Sequence, residues 1–354
     1  MKDFAAYDNS PRTDRTVHPV EGTPAAAALA RKLPKTLSLG TVGWYHPSWR
    51  GTVYDRFTGE RPDWFQTYAA YAAHPLFRTT EWVVSRRRRT DERDWQRIAL
   101  LTPSDFSPLI RLSGRVTDPV LRQRRGEAAG ENPEFLSIEL VRETVTEPIA
   151  KHFGANPPGV LLDLLADPRR GAYRPAERKA FYERLEVFLA RWRGETEAPL
   201  YVNVRTPLLQ TPALMKLLLK SGAYPTLTLT SGGASLSAQL RSLAWYDEAA
   251  GEAALRTPLI LRWLAPQVPT HFRGERAGLD PVTTTRLAYA AASALHAGRR
   301  VLFLADEKAE GNAPGTVTRF AESVAERLRK MREEAEREKR NAPPDLPPLQ
   351  PSQK

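Results

Sequence analysis

Short runs of β-branched and apolar residues recur along this chain, each parted from the next by a stretch with helical spacing. The runs are Leu37–Val42, Phe77–Val83, Leu109–Leu112, Gly159–Leu164, Leu200–Val204, Thr226–Thr230, Leu259–Trp263 and Val301–Leu304, eight in all. Alternation of this kind marks βα units around a parallel sheet, because parallel neighbours need a crossover long enough to hold a helix. Punctuation sharpens it. Asn132-Pro133, Thr211-Pro212 and Asp280-Pro281 each set a capping acceptor before a proline at the first helical position. Gly154, Gly194, Gly222 and Gly298 stand where helices should stop. So regular a pattern favours a TIM-like (β/α)8 barrel of the α/β class over an open doubly wound sheet, which reads similarly in several places.

The 354 residues accommodate one such barrel with extensions at both ends. Residues 1–34 are polar, proline-punctuated and alanine-rich, and are expected to form a flexible N-terminal extension. Residues 35–340 hold the barrel domain, and 341–354 form a disordered proline-rich tail. The last helix runs through AERLRKMREEAEREKR, whose i,i+4 charge pairs, such as Arg329 with Glu333, indicate a solvated face.

A hydrophobic fraction of 41% fills a core, while 26% charged residues give a highly charged surface. The net charge of +11 favours anionic partners, either an anionic small molecule or nucleic acid. With no cysteine, disulfides, thiolate nucleophiles and cysteine-ligated metals are excluded. The mixed charges of the first residues and the lack of any run of about 20 apolar residues argue against a secretory signal or a membrane span, so a cytoplasmic location without membrane association is expected. Nothing in the sequence speaks to oligomeric state.

The stretch GTVGWYHPSWRGTVY, from Gly40 to Tyr54, leaves the first strand. Its glycines let backbone approach a ligand, Trp44, Tyr45 and Trp49 offer ring walls, and Arg50 offers charge. It resembles the opening signature of the YecE-like family, a barrel family of unknown function, in which a strand leads to Gly-Thr-Ser-Gly-Trp, then Tyr-Pro and Trp-Arg-Gly. Here the matching residues are Gly40-Thr41-Val42-Gly43-Trp44, Tyr45-His46-Pro47 and Trp49-Arg50-Gly51, with one residue inserted. Phe77 to Glu81 is similar to the family's second strand with its glutamate, and FSPLIRLSGRVTD to the third, Arg111 standing for a lysine. VNVRTP resembles the fifth strand through Arg205, LILRWLA the seventh through Arg262, and EGNAPGT, from Glu310, the segment after the last strand. The likeness spans residues 37 to 328 and implies the barrel.

Several positions depart from the family pattern. After the second strand stand Val83-Val84-Ser85 and then Arg86 to Arg89; the fifth strand carries Asn203 and Thr206 for the family's glutamate and histidine; Leu264-Ala265 follows Arg262, and Asp306-Glu307 replaces paired asparagines.

In a (β/α) barrel the reactive groups gather where strands exit at their carboxyl ends. Arg50, Glu81, Arg111, Arg205 and Arg262 all fall there, and guanidiniums converging on one site bind phosphate or carboxylate bidentately. The expected site therefore has Glu81 as its catalytic group, orienting water or taking an acidic proton, with Trp44, Tyr45, Trp49, Arg50, Arg111, Arg205 and Arg262 as substrate-binding residues. An interior salt bridge between Glu81 and one arginine is the competing structural reading. Arg86 to Arg89 should share the face of that site as solvated or phosphate-binding charge.

Of the six histidines only His46 lies in the candidate site, where a lone loop histidine reads as structural or exposed. No histidine pair has metal-ligand spacing, and Asp306, Glu307 and Glu310 read as an exposed acidic loop rather than a magnesium site. Neither a phosphate loop, a dinucleotide fingerprint nor a nucleophile elbow is present, so no metal and no cofactor is expected. The leading expectation is a barrel binding a phosphate-bearing or other anionic ligand, with hydrolytic or lyase chemistry. The alternatives are a non-catalytic nucleic-acid binder and a barrel that has lost its chemistry and serves as a scaffold.

Overall fold

The computed structural model describes residues 17–20, 23–57, 63–84, 90–122, 127–154, 156–165, 174–230, 233–265 and 280–341. Its centre is a closed barrel of eight parallel strands. They are β1 (Leu37–Val42), β2 (Thr79–Val83), β3 (Leu109–Arg111), β4 (Gly159–Leu164), β5 (Leu200–Val204), β6 (Tyr224–Leu229), β7 (Leu259–Trp263) and β8 (Val301–Ala305). Each pairs with its neighbours in sequence, and β8 closes onto β1 with Leu304 opposite Gly40. Every expected strand is present, with shifts of one or two residues at some ends.

A strand alternates its side chains between two faces, and here each face is buried differently. Outward residues such as Trp82, Val202, Trp263 and Phe303 join the main core under the helices, where Phe303 stacks on Phe320 at 3.7 Å between ring centres. Inward, Leu109, Leu161, Tyr201, Ile260, Leu302 and Leu304 form a separate apolar floor. Two residues further along the same face come Arg111, Asp163, Asn203, Arg262 and Asp306, with Arg205 two beyond Asn203. The strand period thus sets a charged layer directly above an oily one.

Two glycines make room for this packing. A Cβ on Gly159 would lie 2.5 Å from the Tyr201 ring in the floor, and one on Gly40 would lie 1.9 Å from the Thr79 carbonyl oxygen of β2.

Thr211 and Asp280 cap helices Pro212–Ser221 and Pro281–His296 as expected. Asn132-Pro133 does not begin a helix; the next one starts at Ile138 behind Ser137. Asn132 is spent differently. Its Nδ2 donates to the Arg115 and Asp118 carbonyls at 2.7 and 2.6 Å, and its Oδ1 accepts from Glu134 N, so it staples a loop after β3. Gly194 is the penultimate residue of helix Pro175–Glu195, which stops one residue beyond it.

Within residues 1–34, Pro24–Lys32 forms a helix resting against the long final helix Ala313–Asn341, and Val17–Pro19 pairs antiparallel with Tyr54–Phe57. Residues 1–16 and 342–354 lie outside the described residues.

Replacing Gly40 by alanine forces a methyl into the β1–β2 backbone and should lower stability by about 3 kcal/mol, read as a reduced urea midpoint with an unchanged slope.

Candidate functional site

Glu81 is fully buried near the exit of β2, and Arg262 in β7 is 1% exposed. They meet across the barrel interior as a bidentate pair, Arg262 Nε and Nη2 donating to the two Glu81 oxygens at 2.9 and 3.0 Å. The rest of the Arg262 fork is also spent: Nη1 donates to Thr228 Oγ1 at 3.2 Å and Nη2 reaches Asp163 Oδ2 at 3.3 Å. Burying a guanidinium this deeply is tolerated only when its donors are satisfied.

Asp163, at the end of β4 and 2% exposed, is the second anchor. It accepts from Arg205 Nε and Nη2 at 3.0 and 2.6 Å and from Asn203 Nδ2 at 2.7 Å. Burial by itself would push this carboxyl up, but Arg262, Arg205 and Arg111 outweigh it and hold Asp163 well below the usual carboxylate range. Arg111 closes the ring, its Nε 2.8 Å from Glu81 Oε1 and its Nη1 3.6 Å from Asp163 Oδ2. The Nε contact is an ion pair without hydrogen-bond alignment, so this buried donor is unsatisfied.

Three guanidiniums therefore surround two carboxylates, leaving one positive charge in excess. The cluster is graded in depth. Arg262 is sealed, whereas the Arg111 and Arg205 side chains keep 25% and 27% of their surface exposed. Asp306, just past β8, is close enough to feel both Glu81 and Arg111; burial first, and then the Glu81 charge, raise its pKa.

The structure thus gathers Glu81, Arg111, Arg205 and Arg262 and adds Asp163 and Asp306. It gives Glu81 and Arg262 different places from those expected. Both Glu81 oxygens are held by arginine and its surface is closed to water, and Arg262 has no surface to offer a ligand. The interior salt bridge weighed against catalysis is present here.

Trp44 and Trp49 are each 1% exposed, which removes the ring faces expected to meet a ligand. Trp44 packs among Trp64 and Tyr68 at 4.2 and 4.9 Å, and its Nε1 donates to the Trp64 carbonyl. Trp49 donates to Glu307 Oε2 at 2.7 Å. Tyr45 is half-buried, which raises its phenol pKa, and Arg50 is exposed. Ser85 and Arg86 to Arg89 lie outside the described residues.

The acidic stretch after β8 is not the exposed loop expected. Glu310 is 3% exposed and tied down by Asp280 N at 2.8 Å, by Thr316 Oγ1 at 2.6 Å and by Arg319. Among the described residues no three His, Asp or Glu side chains form a group that could hold a metal.

The sequence profile of the family described as "Protein of unknown function DUF72" matches residues 38–342. The chain belongs to the DUF72 family. The YecE-like resemblance and this family are one and the same. Solved DUF72 structures share the fold at low identity. One from Thermotoga maritima aligns at 15% identity over 84% of this chain and 99% of its own, with a TM-score of 0.51. One from Enterococcus faecalis aligns at 10% identity over 89% and 100%, also with a TM-score of 0.51. No curated protein matches the chain.

Asp163 was missed in the sequence although it carried a signal. It is the lone charge in the apolar run Gly159–Leu165, and a charge inside a buried strand has to find a partner.

Glu81→Ala strands the Arg262 guanidinium and should cost about 3–5 kcal/mol of unfolding free energy in urea. For Asp163 the folded pKa lies below the unfolded value of about 3.9, so its contribution is full above that value and fades as pH falls toward the folded one. Asp163→Asn is expected to be less stable at pH 7 and to lose less than wild type between pH 5 and pH 2, measured by urea melts across that range.

Proposed function

We propose that this DUF72 barrel binds the phosphate or carboxylate of a small molecule at its carboxyl-terminal mouth, between Arg111 and Arg205. The observation that carries the reading is the unspent half of each fork. Arg205 is pinned along its Nε–Nη2 edge by Asp163, and Arg111 is held at Nε by Glu81 and at Nη1 by Asp163. Arg205 Nη1 and Arg111 Nη2 have no partner among the described residues, and both side chains are about a quarter exposed. A guanidinium fixed by buried carboxylates is preorganised, so an incoming anion meets aligned donors without ordering them first.

Glu81, Asp163 and Arg262 position these two residues instead of touching the ligand. Asp306, which feels the Arg111 charge, is the carboxyl we assign to hydrolytic or lyase chemistry on the bound molecule. A nucleic-acid reading has lost its stacking platform, since Trp44 and Trp49 are buried. No helix among the described residues is long and apolar enough to cross a membrane, and the reading keeps the protein in the cytoplasm.

Thermal unfolding in inorganic phosphate, against sodium chloride at equal ionic strength, tests the site. Saturation at 100 times Kd stabilises by about 2.7 kcal/mol. Wild type should show a rise in Tm that grows with the logarithm of phosphate concentration above Kd and that Arg111→Ala and Arg205→Lys both abolish, the lysine keeping the charge while losing the fork. No phosphate-specific rise in wild type, or an equal rise in both variants, overturns the reading.

A further inference from the structure

The strand period that sets a charged layer above an oily floor continues one step further, and on one side of the mouth what stands there is apolar. Val83 lies two residues beyond Glu81 on β2, so it faces inward as Glu81 does, and the register sets it directly opposite Arg111 of β3. Val42, at the end of β1, is partnered with Glu81 and packs on the floor. Leu264 follows Arg262 by two and is still laddered, its N donating to the Leu229 carbonyl at 2.8 Å, so it keeps the inward face of β7. Asp306 comes between them on β8, its N donating to the Trp263 carbonyl at 2.8 Å. Round the barrel, Leu264, Asp306, Val42 and Val83 on β7, β8, β1 and β2 form one arc, and Arg111 and Arg205 on β3 and β5 stand on the other.

Exposure separates Val83 from the other apolar residues on this face. Leu109, Leu161, Ile260 and Leu304, lower in the barrel interior, are 1% exposed or less, whereas Val83 is 37% exposed. An apolar side chain left open on an outer surface needs no explanation. This one stands on the inward face with a guanidinium as its register partner, where threonine would suit the strand equally well and be solvated. Neighbouring strands run about 4.8 Å apart. The atoms bonded to an anion on Arg111 therefore come within reach of the Val83 methyls without any movement of the frame.

We propose that the anion taken by this mouth is carried directly on a hydrocarbon or aromatic body, as in an aryl or alkyl carboxylate or phosphate monoester, and that Val83, with Val42 beneath it, is the wall on which that body lies. The inference rests on the anion-binding reading and adds the class of ligand to it. The division of the ring makes the choice. A polyhydroxylated body would press its hydroxyls onto valines that offer no hydrogen bond and would give up water to do so. An apolar body removes both its own surface and the valine methyls from water. Asp306 interrupts the arc with a single carboxyl, the group assigned to the chemistry.

Calorimetric titration of the full chain with phenyl phosphate and with glycerol phosphate, at equal ionic strength, compares two monoesters of the same charge. Phenyl phosphate should bind about tenfold more tightly, the gain from burying roughly 60 Å² of apolar surface, and with the more negative heat-capacity change. Val83→Thr, which keeps the branched shape that suits a strand, should narrow the ratio of the two Kd values to about threefold or less. Benzoate and glycerate repeat the comparison for a carboxylate head, and the preference for the ring must appear in whichever pair binds. Inorganic phosphate that binds while the two members of each pair bind equally, or the hydroxylated one more tightly, overturns the inference and leaves the anion reading standing. A preference for the ring that Val83→Thr does not narrow overturns it too, since the wall then lies elsewhere. The wild-type comparison can overturn the inference by itself, whatever Val83→Thr does to folding. A chain that binds none of these anions, inorganic phosphate included, defeats the anion reading and this inference with it.

Discussion

Arg262 is a guanidinium with almost no water, and the upper half of the barrel is organised around keeping it charged. Its pKa is raised, because Glu81 and Asp163 more than offset the burial that would lower it. The pair with Glu81 runs between β2 and β7, which are not neighbours in the sheet, so it braces the barrel across its interior. Such a pair adds little net stability over apolar residues of equal volume, yet breaking it is costly. Its effect is to fix where charges stand. Once Glu81 and Arg262 face each other, Asp163 is placed to take the remaining Arg262 donor, and Arg205 and Arg111 follow onto the carboxylates.

Depth then divides the labour among residues that look alike in the sequence. Arg262 and Arg205 both follow apolar strand residues near the carboxyl ends of their strands. One is sealed and the other opens to solvent because Arg262 lies within its strand, two steps above Ile260, whereas Arg205 follows the last residue of β5, four steps above Tyr201. A single extra pair of residues along a strand, about 7 Å, moves a guanidinium from brace to ligand-facing donor. The same step separates buried Asn203 from Arg205 on one strand.

The eight strands were legible because period-two burial and helix punctuation act locally, and the convergence of charges was legible because strand exits share one end of a barrel. What was not legible was pairing. Asp163 and Glu81 are partners of arginines up to 181 residues away, and nothing near them in sequence says which guanidinium each will hold. Trp44 and Trp49 sit beside glycines and an exposed arginine, as ligand-stacking rings do, but helix Trp64–Ala72 and Glu307 arrive from elsewhere to cover them. Asn132 shows the same failure at short range. Asn-Pro is a helix-start signal when the acceptor is free to cap, and here the side chain is drawn into the Arg115 and Asp118 carbonyls.

Positive charge alone does not make the mouth selective. The chain carries +11 overall, but within the cluster Glu81 and Asp163 neutralise two of the three arginines and Asp306 stands close by as a further carboxyl. A site of that kind attracts anions weakly at long range and discriminates at contact, through the fixed directions of the remaining N–H donors. Asn203 supports this economy. A carboxylate at this position would bring a further negative charge into the cluster; the amide instead donates to Asp163 Oδ1 and helps hold that anchor without adding charge.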